Sequence, residues 1–262
     1  MDGLEPGHQG AQAGRRPLSA VVFGRIRDID ASAPATWQDG RAFLTFDIDW
    51  AHDEVLADTI AIVERAGVSA TWFVTHDTPL LERLRENPAF ELGIHPNFNF
   101  LLNGDARNGA SAEAVVDGLL RIVPDAVSVR SHSTMVSTPL LALFARKGLR
   151  FDCNLFVPHT AGIALRPWAN WTGVTMVPYC WEDDVAFLSG DTADTASVAR
   201  AGGLRVFDFH PIHVFLNTDA AERYDLARAS LGDPGALRAH RLADTTVGTH
   251  AALTRLLEAA TA

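Results

Sequence analysis

Asp47 and Asp49 are separated by a single residue and close an otherwise apolar run in Thr45-Phe46-Asp47-Ile48-Asp49-Trp50. Burying carboxylates without a partner is expensive, so the pair asks for a cation, and a divalent metal would supply it. A helix cap and a salt bridge would explain either aspartate alone better than both. His95 stands where another apolar segment turns into Pro96-Asn97-Phe98-Asn99. Neutral imidazole with carboxylate is a usual donor set for a catalytic zinc that keeps one position for water. In Arg130-Ser131-His132-Ser133, Arg130 can orient a catalytic carboxylate while His132 faces metal or substrate; a surface ion pair and a loop histidine are the plainer reading. Phe207-Asp208-Phe209-His210-Pro211-Ile212-His213 ends a third apolar segment. His210 suits a general acid for an amine leaving group, because its charge changes near neutral pH. His213 is the alternative acid, or a core histidine. Trp181 and the acidic run Glu182-Asp183-Asp184 line the pocket, or form a solvated loop. Trp50, Trp72, Trp168, Trp171 and Trp181 offer indole faces that stack on sugar rings, as well as bulk for a core.

Something must bring these distant residues together. Segments 41–49, 69–74, 90–95, 126–130, 150–154, 174–178 and 204–210 read as strands. Between and after them, 53–66, 79–86, 111–123, the stretch from Thr138 to Gly148, 219–229 and 247–260 have helical spacing, with Asp53 and Thr138 as caps and Gly67 and Gly148 as stops. Repeated strand-helix units imply a parallel sheet with helical crossovers. In a parallel α/β barrel the C-terminal strand ends share one face, and the aspartates, His95, Arg130, His132 and His210 all fall at such ends. Residues 1–40, rich in Gly, Ala, Pro and Gln, read as an irregular tail or cap before a single domain over 41–262.

The 262 residues, 47% hydrophobic and 21% charged, suit one larger globular domain. A net charge of −10 without basic blocks argues against nucleic acid and anionic membrane as partners. Cys153 and Cys180 have no metal-cage spacing and read as buried thiols. The apolar run 17–24 is too short for a secretory core, and no run spans a bilayer, so a cytoplasmic protein is expected, with homo-oligomerisation left open.

Taken in order over residues 41–215, these motifs resemble the NodB-type polysaccharide deacetylases, carbohydrate esterase family 4. Thr45-Phe46-Asp47-Ile48-Asp49 is similar to the family's Thr-Phe-Asp-Asp-Gly with one residue inserted. The resemblance implies a distorted (β/α) barrel of about seven parallel strands, with Asp47 as base, Asp49 as metal ligand, Arg130 holding Asp47, and His210 as acid. The family's His-Ser/Thr-x-x-x-His pattern is met by His95, but Asn99 stands where the second histidine belongs. Either His132 replaces the lost ligand or the Asn99 amide serves, Asn99 otherwise touching substrate. Trp50, Trp181, Asp183 and His213 become candidate substrate contacts. The implied cofactor is one divalent cation, zinc first among the transition metals. The implied reaction is removal of an N-acetyl group from a small amino sugar, free or nucleotide-linked, in an intracellular branch of the family. A hydrolase of a non-sugar amide, such as a cyclic ureide, and a sugar-binding relic without metal are the alternatives.

Overall fold

A computed structural model describes residues 20–243 and 247–261. Its strands are β1 (Val22–Gly24), β2 (Arg41–Asp47), β3 (Ala70–Val74), β4 (Phe90–Ile94), β5 (Ser128–Val129), β6 (Phe151–Asp152), β7 (Trp168–Ala169), β8 (Thr175–Met176), β9 (Trp181–Glu182) and β10 (Val206–Phe209). The helices are α1 (Asp53–Ala66), α2 (Leu80–Glu86), α3 (Asn99–Leu102), α4 (Ala112–Ile122), α5 (Thr138–Arg146), α6 (Asp183–Ser189), α7 (Thr195–Arg200), α8 (Pro211–Leu216), α9 (Ala221–Ala227), α10 (Pro234–Leu237) and α11 (Thr249–Glu258).

One mostly parallel sheet runs β7-β8-β6-β5-β4-β3-β2-β10-β9, with β1 added beside β2. Its closure depends on the segment 175–182. At its start β8 pairs with β6; at its end β9 pairs with β10; between them Val157 N donates to Tyr179 O and Cys180 N to Val206 O. With β8 and β9 counted as two ends of one stave, seven parallel staves curl into the expected distorted barrel. Among the described residues only the β7–β8 hairpin is antiparallel, and it carries exposed Trp168 and Trp171.

β2, β3 and β4 are buried almost throughout, as continuous apolar strands between barrel interior and helices must be. Phe46 stacks on Trp72 at 4.2 Å, which puts that indole in the core. Gly93 allows β3, β4 and β5 to approach closely, since a Cβ there would meet Ser128 Oγ at 2.5 Å and the Phe73 ring at 2.7 Å. The caps lie one residue earlier than the sequence suggests: His52 accepts from Glu54 N before α1, and Ser137 from Leu140 N before α5. Both free thiols are buried.

The expectation of an irregular stretch over 1–40 needs correction where it can be compared. Residues 1–19 lie outside the described residues. Beyond them β1 pairs in parallel with β2, and Val21, Phe23, Ile26 and Trp37 are buried in the core. Three strand residues flanked by breakers are too few for a period-two signal to stand out. No helix among the described residues is long and apolar enough to cross a membrane.

Candidate active site

β2 ends on buried Asp47, and the chain then turns sharply. Ile48 plunges into the core while Asp49 and Trp50 take positive φ angles of 33° and 54°. Two successive non-glycine residues in that region cost roughly 1 kcal/mol or more each, so the surroundings must impose the turn. Trp50 N donates to Thr75 Oγ1 at 3.2 Å, and Ala51 N to Ile48 O. The result swings the Asp49 carboxylate over the barrel mouth.

His95 follows β4, its N–H donating to Val74 O, and its ring lies between the two aspartates. Nδ1 is 3.4 Å from Asp47 Oδ2, and Nε2 is 3.2 Å from Asp49 Oδ1. His132 enters from the loop after β5, where Ser133 and Thr134 again have positive φ. That loop is held by Ser131 N donating to Asn154 Oδ1 at 2.7 Å, with Asn154 anchored on buried Asp152, and by His132 N donating to Pro96 O. His132 Nδ1 lies 3.3 Å from His95 Nε2 and 3.4 Å from Asp49 Oδ1.

These three atoms pass a simple fit test for a cation. Asp49 Oδ1, His95 Nε2 and His132 Nδ1 are mutually 3.2, 3.3 and 3.4 Å apart. Ligands on tetrahedral zinc, at bonds of about 2.0–2.2 Å, are separated by about 3.3–3.6 Å. Asp49 Oδ1 is buried without a hydrogen-bond partner. Burial raises the Asp49 carboxyl, but His132 and His95 outweigh it and hold it well below the usual range. Burial likewise lowers His132, and Asp49 reverses this to a net rise. Positive charge is what the carboxylate requires, and protons on the imidazoles and a metal ion compete to provide it.

Arg130 is buried between the rings of Phe73 and Tyr179, 4.7 and 4.6 Å from its guanidinium carbon. Nη1 donates to Asp47 Oδ1 at 3.1 Å, to Thr45 Oγ1 at 2.9 Å and to Asp208 Oδ1, while Nε donates to Cys153 O. Asp47 is thus fixed on one oxygen by Arg130 and has its other oxygen toward His95.

His210 is clamped by Asp183, whose Oδ1 is 2.7 Å from ring Nδ1 and whose Oδ2 accepts from the His210 backbone N at 2.8 Å. Nε2 then points toward Asp49 Oδ2, 3.7 Å away. Burial works against the charged ring, but Asp183 wins and pushes His210 well above its ordinary value. Below that raised value the ring is imidazolium and can give a proton. With His210 as the acid that the motif resemblance implies, Asp183→Asn is expected to reduce turnover at least about tenfold and to shift the alkaline limb of the pH–rate profile downward. A pH–rate comparison of the two proteins checks this; an unmoved limb would separate Asp183 from the charge on His210.

Three expected substrate contacts are placed elsewhere. His213 is buried behind His210, with Nδ1 against Thr218 Oγ1 and its ring edged by Phe187 and Tyr224; burial lowers it, which suits a neutral packing residue. Trp181 packs on Phe207 and Phe209 and lines a separate cavity of about 540 Å³ behind Asp183, because strand alternation turns it outward while Glu182 and Asp208 turn in. Asp183 is itself fully buried and occupied with His210. Trp50 does lie at the mouth, 45% exposed, with its ring 5.1 Å from that of His132. Asn99 opens α3 beside the His132 loop, its Nδ2 donating to Ser133 Oγ at 3.0 Å. The sequence reading missed Asp208 as a member of the Arg130 cluster. Its signal was the i, i+2 spacing to His210, which puts both on one face of β10.

A profile described as WbmS-like polysaccharide deacetylase matches residues 44–228. A crystal structure from Bordetella bronchiseptica, described as a polysaccharide deacetylase involved in O-antigen biosynthesis, is 48% identical; the alignment covers 90% of this chain and 97% of that one, with a TM-score of 0.84. A second, described as a polysaccharide deacetylase from Mycobacterium smegmatis, is 19% identical over 68% of this chain and 80% of its own, with a TM-score of 0.45. No curated protein matches.

Proposed function

The chain belongs to the WbmS-like polysaccharide deacetylase family, and from that premise we propose that it is an N-deacetylase of a small amino sugar, using one divalent cation held by Asp49, His95 and His132. It is a sugar deacetylase of the hydrolase class. The observation that carries the finer reading is the triangle of donor atoms, whose sides of 3.2, 3.3 and 3.4 Å suit zinc. A bound cation of this kind supplies a Lewis acid for the acetyl carbonyl and brings the pKa of water down toward about 7.

The chain's own residues do the rest. Asp47, fixed on Oδ1 by Arg130, is the base that takes the proton of the attacking water. His210, charged through Asp183, is the acid that protonates the departing amine, which is too basic to leave unprotonated. Trp50, exposed at the rim beside His132, gives the sugar ring an aromatic face. We place the whole activity in the single barrel of residues 41–262, with β1 as its extra strand, and the substrate among cytoplasmic precursors of a surface polysaccharide. The relative's described part in O-antigen biosynthesis supports that substrate class.

The test is acetate release from N-acetylhexosamines and their nucleotide-linked forms, with polymeric chitin alongside. Release from the small compounds, abolished by chelator and restored by Zn²⁺, is the expected result. Turnover of chitin with none of the small compounds would refute the substrate class, and chelator-insensitive release would refute the cation.

A further inference from the structure

Of the three donors assigned to the cation, His132 is carried farthest from its strand. His95 directly follows β4, whereas His132 lies in the loop beyond β5, and the next two residues, Ser133 and Thr134, have φ angles of 56° and 50°. Two successive non-glycine residues in the left-handed region are strained, so neighbours must hold the loop in place. Thr134 N donates back to Ser131 O at 2.8 Å, which closes the turn but does not fix it to the barrel.

The fixing comes from the neighbouring stave. The register that pairs Val129 with Asp152 sets Ser131 opposite Asn154. Beyond the backbone bond from Cys153 N to Val129 O, the link between the two staves passes to a side chain, with Ser131 N donating to Asn154 Oδ1 at 2.7 Å. Asn154 is aimed in turn by Asp152: its backbone N donates to Asp152 Oδ1 at 3.0 Å and its Nδ2 to Asp152 Oδ2 at 2.9 Å. Both carboxyl oxygens of Asp152 thus accept from Asn154, which turns the amide NH₂ toward Asp152 and leaves its oxygen for Ser131. Ser131, Asp152 and Asn154 are all buried, so solvent does not readily replace a bond lost among them.

We propose that Asn154, aimed by Asp152, is the positioning residue for the third metal ligand, doing for His132 what its strand does for His95. This rests on the reading of Asp49, His95 and His132 as the cation's donors. The bond from His132 N to Pro96 O remains when the Asn154 side chain is removed, so the loss is smaller than that of the ligand itself.

The test is Zn²⁺ affinity, measured by competition with a chromophoric chelator, for the wild type, Asn154→Ala, His132→Ala and the double variant. A partner that orients a metal ligand is typically worth 10–100-fold in affinity, so Asn154→Ala is expected to raise Kd by about that factor. With His132 already alanine there is no ligand left to orient, and the same substitution should change Kd by less than about twofold. An equal loss in both backgrounds would make Asn154 a general structural residue, and an unchanged affinity in Asn154→Ala would remove its role; either overturns the proposal. If Asn154→Ala does not fold, Asn154→Ser, which has neither the reach to Ser131 N nor the Nδ2 donor, goes through the same cycle with the same outcomes. A wild type that binds no Zn²⁺ would instead refute the cation reading itself.

Discussion

Asp47→Asn is expected to lower kcat by about 10²–10⁴-fold while the protein keeps its metal, and Asp49→Ala is expected to lose metal and turnover together. The first figure is what removal of a positioned general base costs. Asp47 and Asp49 are one residue apart in sequence, yet their surroundings differ. Asp47 Oδ1 is engaged by Arg130 at 3.1 Å, and asparagine can keep that bond through its amide oxygen. The proposed metal triangle would use Asp49 Oδ1, a buried oxygen with no hydrogen-bond partner, so alanine would remove a donor that nothing else replaces. Metal analysis of each purified variant, paired with acetate release, checks the division of labour. An Asp47→Asn protein that is metal-free beside a metal-loaded Asp49→Ala protein would reverse the two assignments.

The parts legible in the sequence were those where local pattern and burial agree. β2, α1, β3 and β4 have long runs, caps or glycine stops, and the chain folds there within a residue or two of the reading. β5, β6 and β8 were placed but overextended, since only two residues of each are paired, while flanking Ala126, Arg130, Cys153, Asn154, Val174 and Val177 are buried without being part of the strands. The stretch around 181–189 was least legible. Glu182-Asp183-Asp184 reads either as pocket wall or as a solvated acidic loop, whereas Trp181–Glu182 pairs with β10 and Asp183 opens α6 fully buried. A carboxylate is buried there because His210 sits against it, a partner 27 residues away that no local pattern announces. The same holds for Asp208, whose partner Arg130 is 78 residues distant. The convergence of Asp49, His95 and His132 was legible because each ends or follows a strand in a parallel sheet, and such ends meet on one face.

His132→Ala should weaken metal binding at least about 100-fold, beyond what loss of a supporting residue around a metal costs. Of the two histidines in the triangle, His132 is the one set by a loop, and that loop is braced by Asn154 on Ser131 N and by Pro96 O on His132 N. Asn99 stands outside the triangle with its amide nitrogen on Ser133 Oγ. A neutral amide is also a poorer zinc ligand than imidazole. The decisive measurement is metal content by elemental analysis of His132→Ala and Asn99→Ala, each purified alongside the wild type and dialysed against the same Zn²⁺ buffer. A nearly metal-free His132→Ala beside an Asn99→Ala that retains a full equivalent is the predicted result. Full metal in His132→Ala with loss in Asn99→Ala would contradict it and make the Asn99 amide the third ligand.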